Sequence, residues 1–104
     1  MPGEKPDSQA FSLSDIDRVI HTPARLLIMK ILYVLDGADM VFLKDETGLT
    51  WGNLSVQVKN LEQAGYVNIN KEFVENKPHT VVSLTTQGRD AFSNYRAQLK
   101  DILR

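Results

Sequence analysis

The side chains best placed to do chemistry are amides on one stretch of chain: Asn53, Gln57, Asn60 and Gln63. An amide donates and accepts hydrogen bonds at once, the pairing that matches the edge of adenine in a major groove. On a helix wheel Leu54, Val58 and Leu61 share one side, which turns Gly52, Asn53, Val56, Lys59, Asn60 and Gln63 outward. Asn53 and Gln57 are the expected base readers, Val56 the expected contact to a thymine methyl, and Gly52 permits close backbone approach. Thr50, Trp51, Ser55 and Lys59 suit sugar and phosphate. The competing reading of each is a plain solvated helix face. A second set, Lys71, Asn76, Lys77, His79 and Thr80, could meet phosphates or an adjacent minor groove if a hairpin carries it beyond the domain.

Other chemistries lack their residues. There is no Gly-rich phosphate loop and no His placed locally beside a Ser nucleophile, so no enzyme is expected. The chain has no cysteine, and its two histidines, His21 and His79, stand 58 residues apart. No metal site and no cofactor are expected on that basis, and the missing thiols suit a reducing compartment. Twelve Lys/Arg against thirteen Asp/Glu give a net charge of −1, without the basic balance that announces a nucleic-acid surface. The charge is uneven, however: −3 over residues 1–49, 0 over 50–80 and +2 over 81–104. No apolar run approaches the roughly 18 residues of a membrane span, and MPGEKPDSQA holds no hydrophobic signal region. A cytoplasmic protein with no membrane partner is the expectation.

A length of 104 residues, 42% of them hydrophobic, allows one modest core. Residues 1–10 mix Pro, Gly, Ser and charge without an apolar period and read as a flexible tail; residues 11–104 read as the domain. Ser14 could cap a short helix ending near His21, with Leu13, Ile16, Val19 and Ile20 on one side. Thr22-Pro23 then opens a longer helix to about Leu35, apolar round most of its circumference, with Arg25 and Lys30 among its few polar positions. Asp36 to Asp39 breaks it. A very short strand is expected at Met40-Val41, then a helix over 42–46 ended by Thr47-Gly48. Thr50 is the expected N-cap of a helix over 51–64, closed by Gly65. The turn Gly48-Leu49-Thr50 between two helices has helix-turn-helix spacing. Alternation over 66–74 and 79–84 predicts a hairpin with Glu75-Asn76-Lys77-Pro78 as its tip. Thr85 caps a last helix running to the C-terminus, with Phe92, Tyr95, Leu99 and Ile102 in one stripe. The order is mainly α with a small β-hairpin, that of a winged helix-turn-helix domain.

The residues at 49–67, Leu-Thr-Trp-Gly-Asn-Leu-Ser-Val-Gln-Val followed by Lys-Asn-Leu-Glu-Gln-Ala-Gly-Tyr-Val, resemble the recognition helix of small winged-helix transcription regulators. His-Thr-Pro-Ala-Arg-Leu-Leu-Ile-Met at 21–29, Lys-Pro-His-Thr at 77–80 and Leu-Thr-Thr-Gln-Gly at 84–88 extend the likeness over roughly residues 15–100. The chain is similar to the compact archaeal and bacterial DNA-binding proteins of the MarR (multiple antibiotic resistance) and ArsR (arsenical resistance) type. That resemblance implies a homodimer with recognition helices in successive major grooves of double-stranded DNA and a wing at each side. Such wings often carry arginine where this chain has Asn76 and His79, so Lys77 is left as the full-time cation of the tip.

The stripe on the last helix extends further than so small a domain needs for its own core. Segments 11–21 and 86–104 are therefore the expected dimerisation helices, with Leu13, Ile16, Ile20, Phe92, Tyr95, Leu99 and Ile102 meeting across a two-fold axis. A repressor acting by occupancy is the leading expectation. The alternative is a winged-helix protein-protein interaction module, which near-neutral charge keeps open. No residue specifies an effector, an operator or the sign of regulation.

Overall fold

The computed structural model describes residues 15–104. Thr22 opens the first helix, its hydroxyl accepting the Arg25 N–H at 3.2 Å, and Pro23 takes the first helical position where a missing N–H is harmless. This helix, α1 (Pro23–Leu35), buries Ile28, Met29 and Leu32 at the centre of the core. Asp36 ends it at φ 67°, donating its N–H to the Leu32 carbonyl. The short strand lies earlier than expected. It is β1 (Gly37–Asp39), and Met40 already begins α2 (Met40–Thr47), whose N-cap is Asp39. Antiparallel pairing with Val81–Ser83 makes these residues a strand, and a partner more than forty positions away leaves no local mark.

Gly48, at φ 72°, closes α2, and two residues later Thr50 caps α3 (Trp51–Gln63) by accepting the Asn53 N–H at 3.1 Å. Leu54, Val58 and Leu61 seat α3 on the core, and Gly65 at φ 83° turns the chain out of it. The pair α2–α3 is the expected helix-turn-helix.

β2 (Val67–Val74) and β3 (Lys77–Leu84) follow, and the sheet order is β1-β3-β2, antiparallel throughout. The hairpin tip is tighter than the expected four residues. Only Glu75 and Asn76 form it, at φ 53° and 66°, the signature of a type I′ turn. Lys77 and Pro78 belong to β3. Val74 and Lys77 close a two-residue turn as a hydrogen-bonded pair, so the Pro78 nitrogen, opposite Phe73, points away from β2. β1 reaches only as far as Val81, so no ladder bond is asked of Pro78.

The last helix, α4 (Thr86–Leu103), starts as expected at Thr85, whose hydroxyl accepts the Gly88 N–H at 2.9 Å and donates to the Gly65 carbonyl at 2.6 Å. Gly88 lets this helix sit against the chain entering β2: a Cβ there would lie 2.1 Å from the Tyr66 carbonyl oxygen. α4 then packs along α1, where Phe92 meets Tyr33 at 5.0 Å between ring centroids and Tyr95 hydrogen-bonds His21 at 2.8 Å.

Two expectations about assembly residues are corrected here. Over 15–21 the chain forms turns rather than an α-helix, because Asp17 accepts the N–H groups of Val19 and Ile20 and holds a local loop. Ile20, Phe92 and Tyr95, expected at a dimer interface, lie buried in the protomer's own core. Ile16 and Leu99 are half-buried and Ile102 is exposed. Leu13 lies outside the described residues.

Candidate nucleic-acid interface

The outward face of α3 is where the sequence placed it. Thr50, Trp51, Gly52, Asn53, Ser55, Val56, Lys59 and Asn60 are all exposed, opposite the buried Leu54-Val58-Leu61 stripe. Val56 is 56% exposed, an apolar side chain turned to solvent. The Thr50 hydroxyl is occupied as the cap. Trp51 lies under the Lys44 ammonium, 5.6 Å from its ring centroid, so a cation stands beside the N-terminus of α3. Lys59 leans toward Glu62 at 3.6 Å in an exposed pair that leaves it available.

Gln57 has a different place from the one expected. It sits on the flank of the buried stripe, half-buried, and its amide is already engaged on both ends. Arg25 Nη1 donates to its Oε1 at 2.8 Å, and its Nε2 donates to Asn53 Oδ1 at 2.9 Å. Gln57, expected as a direct base reader, is instead hydrogen-bonded between Arg25 and Asn53. Arg25 is a neighbour of this face that sequence reasoning did not place here. Its mark was being one of very few polar positions in α1, but nothing local pointed to a residue 32 positions away. Beside it, Arg18, Arg25, Asn60 and Gln63 line a shallow hollow of about 380 Å³ whose donors suit an anion such as a phosphate.

The pleat of the hairpin divides the second set. Directly paired residues share a face, so Lys71 with Thr80 and Phe73 with Pro78 lie on the face of Ile69 and Val82, toward α3. Thr80 lines a hollow of about 350 Å³ together with Trp51, Ser55 and Lys59 of α3. Glu72 with His79 and Val74 with Lys77 lie on the opposite face. His79 stands 3.7 Å from the Asp39 carboxylate there. Asn76 is in the turn itself. Lys71 and Thr80 are thus brought to α3, and Lys77 and His79 are not. Phe73, 75% exposed on the α3 side, went unnoticed in the sequence as a wing residue.

Below this surface the entry to α1 is tied to the exit of α3. Tyr66, just past Gly65, donates to Asp17, and burial together with that carboxylate pushes its phenol up to about 12. Among the described residues no group of His, Asp or Glu is arranged to hold a metal ion, and no helix is long and apolar enough to cross a membrane.

A helix-turn-helix whose second helix shows a polar face to solvent, flanked by a two-stranded hairpin, defines a class that works by binding rather than by catalysis. The chain belongs to the family described as the winged helix DNA-binding domain, which residues 24–103 match. It is 33% identical over 78 residues to an uncharacterized protein of Methanocaldococcus jannaschii, covering 75% of this chain and 85% of the relative. The structure of a transcriptional regulator homologue from Pyrococcus horikoshii OT3 superposes with a TM-score of 0.82 at 25% identity, over 95% of both chains. NadR, solved in complex with 4-hydroxyphenylacetate, superposes at 0.70 over 99% of this chain and 82% of its own, and at 15% identity it attests the fold alone. The protein is a DNA-binding regulator of the winged-helix class.

Proposed function

We propose that the protein is a homodimeric, sequence-specific double-stranded DNA-binding repressor that places α3 in the major groove and the α3-facing side of its hairpin over the adjacent backbone. The observation that carries this is the outer face of α3, and Gly52 within it most of all. Gly52 is helical and exposed, and a Cβ there would meet nothing within 4 Å. Alanine would serve the fold better by up to about 1 kcal/mol. A glycine does serve a helix whose backbone must come close to an outside surface. Asn53, Val56 and Lys59 beside it supply polar, apolar and cationic contacts of the kinds a groove offers.

A second copy is the partner that best suits the seam of α1 and α4. Leu26, Tyr33, Val34, Arg96 and Leu99 border a groove of about 410 Å³ there. Val34 is 67% exposed, and beyond Leu99 the helix end carries Ile102 and the 75% exposed Leu103. Two such surfaces would cover one another about a two-fold axis, setting two α3 helices roughly one turn of DNA apart, about 34–36 Å.

Selection from random duplexes at a stated salt concentration tests the reading, with an enriched, roughly two-fold symmetric site as the expected result. Sedimentation at micromolar concentration should show a dimer, and Val34→Glu should shift it to monomer. Transcription from a promoter overlapping the selected site should fall as protein is added. The alternative, a protein-interaction module, draws on two exposed aromatics, Trp51 in the hollow between wing and α3 and Phe73 on the hairpin. A selection that enriches no site, beside a stable complex with another protein, would favour it.

A further inference from the structure

Arg25 sits on α1, away from the outward face of α3, yet it decides how that face is polarised. A guanidinium offers only N–H groups and keeps its charge at any working pH, so whatever lies against it must present an acceptor. Arg25 is held from two sides: its Nε donates to the Val19 carbonyl and its Nη1 to Gln57 Oε1, the latter at 2.8 Å. The Gln57 amide is therefore turned with oxygen toward α1 and nitrogen toward Asn53. Its Nε2 donates to Asn53 Oδ1 at 2.9 Å, one helical turn back along α3. The same polarity passes on. Asn53 keeps its oxygen toward Gln57 and presents its NH2 group outward.

We propose, on the DNA-binding reading above, that Arg25 is a positioning residue which sets the donor polarity of Asn53 through Gln57, so that Asn53 selects guanine. Adenine's major-groove edge carries one acceptor and one donor, and pairing with it needs an amide that offers both groups outward. Guanine carries two acceptors, N7 and O6, which suit an outward NH2. The order Arg25, Gln57, Asn53 thus converts a side chain able to read either purine into one that favours guanine.

The test compares base profiles selected from random duplexes by the wild type and three variants, with thermal melts of each. The wild-type half-site should contain a G·C pair preferred over A·T by about five- to hundredfold, the range of one good side-chain contact. Arg25→Met keeps the aliphatic stem and removes the donors, so Gln57 is free to turn and the preference should fall to within about twofold. Gln57→Glu leaves the Arg25–Val19 link intact and is the sharper change. A carboxylate accepts from both Arg25 and Asn53, which forces Asn53 to turn its oxygen outward, so selection should move to a base offering an N–H, adenine or cytosine. Arg25→Lys still donates and should retain guanine. If Arg25→Met and Gln57→Glu weaken all sequences alike and leave the profile unchanged, the proposal is overturned, as it is if the wild-type site shows no guanine preference. A wild type that enriches no site at all overturns instead the DNA-binding reading on which it rests.

Discussion

Helices α1 and α3 are built on one plan and face different surroundings. Each runs for 13 residues, and each is opened by a threonine whose hydroxyl accepts the N–H of the third residue, Arg25 in one and Asn53 in the other. Each drives a stripe of three buried side chains into the same core. Their outer faces differ. α1 leaves Leu27, Val34 and Leu35 exposed, whereas α3 exposes Gly52, Asn53, Ser55 and Lys59 around two apolar side chains, Trp51 and Val56. Water alone would favour polar residues on both. An apolar outer face suits a protein surface, and an amide- and cation-bearing one a polar, charged partner, so the contrast supports the proposed division of assembly on α1 and recognition on α3.

The largest effect separates inner from outer faces. Leu54→Ala empties a fully buried site on α3 and should cost about 2–5 kcal/mol in chemical denaturation. Val34→Ala, on the outer face of α1, should cost less than about 0.5 kcal/mol if that face meets only water. A Val34→Ala loss that instead varies with protein concentration would place the α1 face between two copies, and would sharpen the contrast with α3.

The parts of this plan that were legible in the sequence are the ones made by neighbours along the chain. Thr22-Pro23, Thr50, Gly65 and Thr85 mark helix ends because capping acts within three or four residues. The buried stripe of α3 follows from periodicity alone. Gly37–Asp39 became a strand through partners on β3, and Arg25 reached Gln57 on a different helix, contacts that no local pattern encodes. Glu75-Asn76 lacks the Asn-Gly or Asp-Gly pair typical of a type I′ turn, while Lys77-Pro78 looks like turn chemistry, so the tip was read too long. The α4 stripe was read correctly as apolar. Periodicity could not say that α1 already covers Phe92 and Tyr95 and leaves only the helix end free.

Removing the two caps probes whether the helices are equivalent below their outer faces. Thr22→Ala and Thr50→Ala should each cost about 1 kcal/mol of stability, within a few tenths of one another. Only Thr50→Ala frays the helix end that carries Asn53, so it should weaken binding to the selected duplex more than Thr22→Ala does, as read by titration at fixed salt. Gly52→Ala should act in the opposite sense on the two readouts. Stability rises by up to about 1 kcal/mol because alanine favours the helix. Affinity for DNA falls, because a methyl now stands where the backbone approaches. A variant that gained stability and kept its affinity would remove Gly52 from the contact surface and leave α3 with an ordinary solvated face at that point.

The last expected effect is read against pH and lies at the tie between the two helices. Tyr66 follows α3, Asp17 precedes α1, and the phenol donates to the carboxylate. Burial first, and the Asp17 bond second, raise the phenol to about 12 from its ordinary value near 10. The folded protein therefore holds this proton more tightly than the unfolded chain does. The stabilisation is complete below pH 10, declines as the unfolded phenol ionises, and is gone once pH passes 12. Tyr66→Phe has no proton to lose, so the stability difference between wild type and variant should shrink between pH 10 and pH 12 and stay constant from pH 7 to pH 9. Tyr95, also raised by burial, titrates in both proteins and cancels in that difference. A gap that did not change across the window would mean that Tyr66 is as free as an unfolded tyrosine, and that the approach to α1 and the exit from α3 are not held together by this bond.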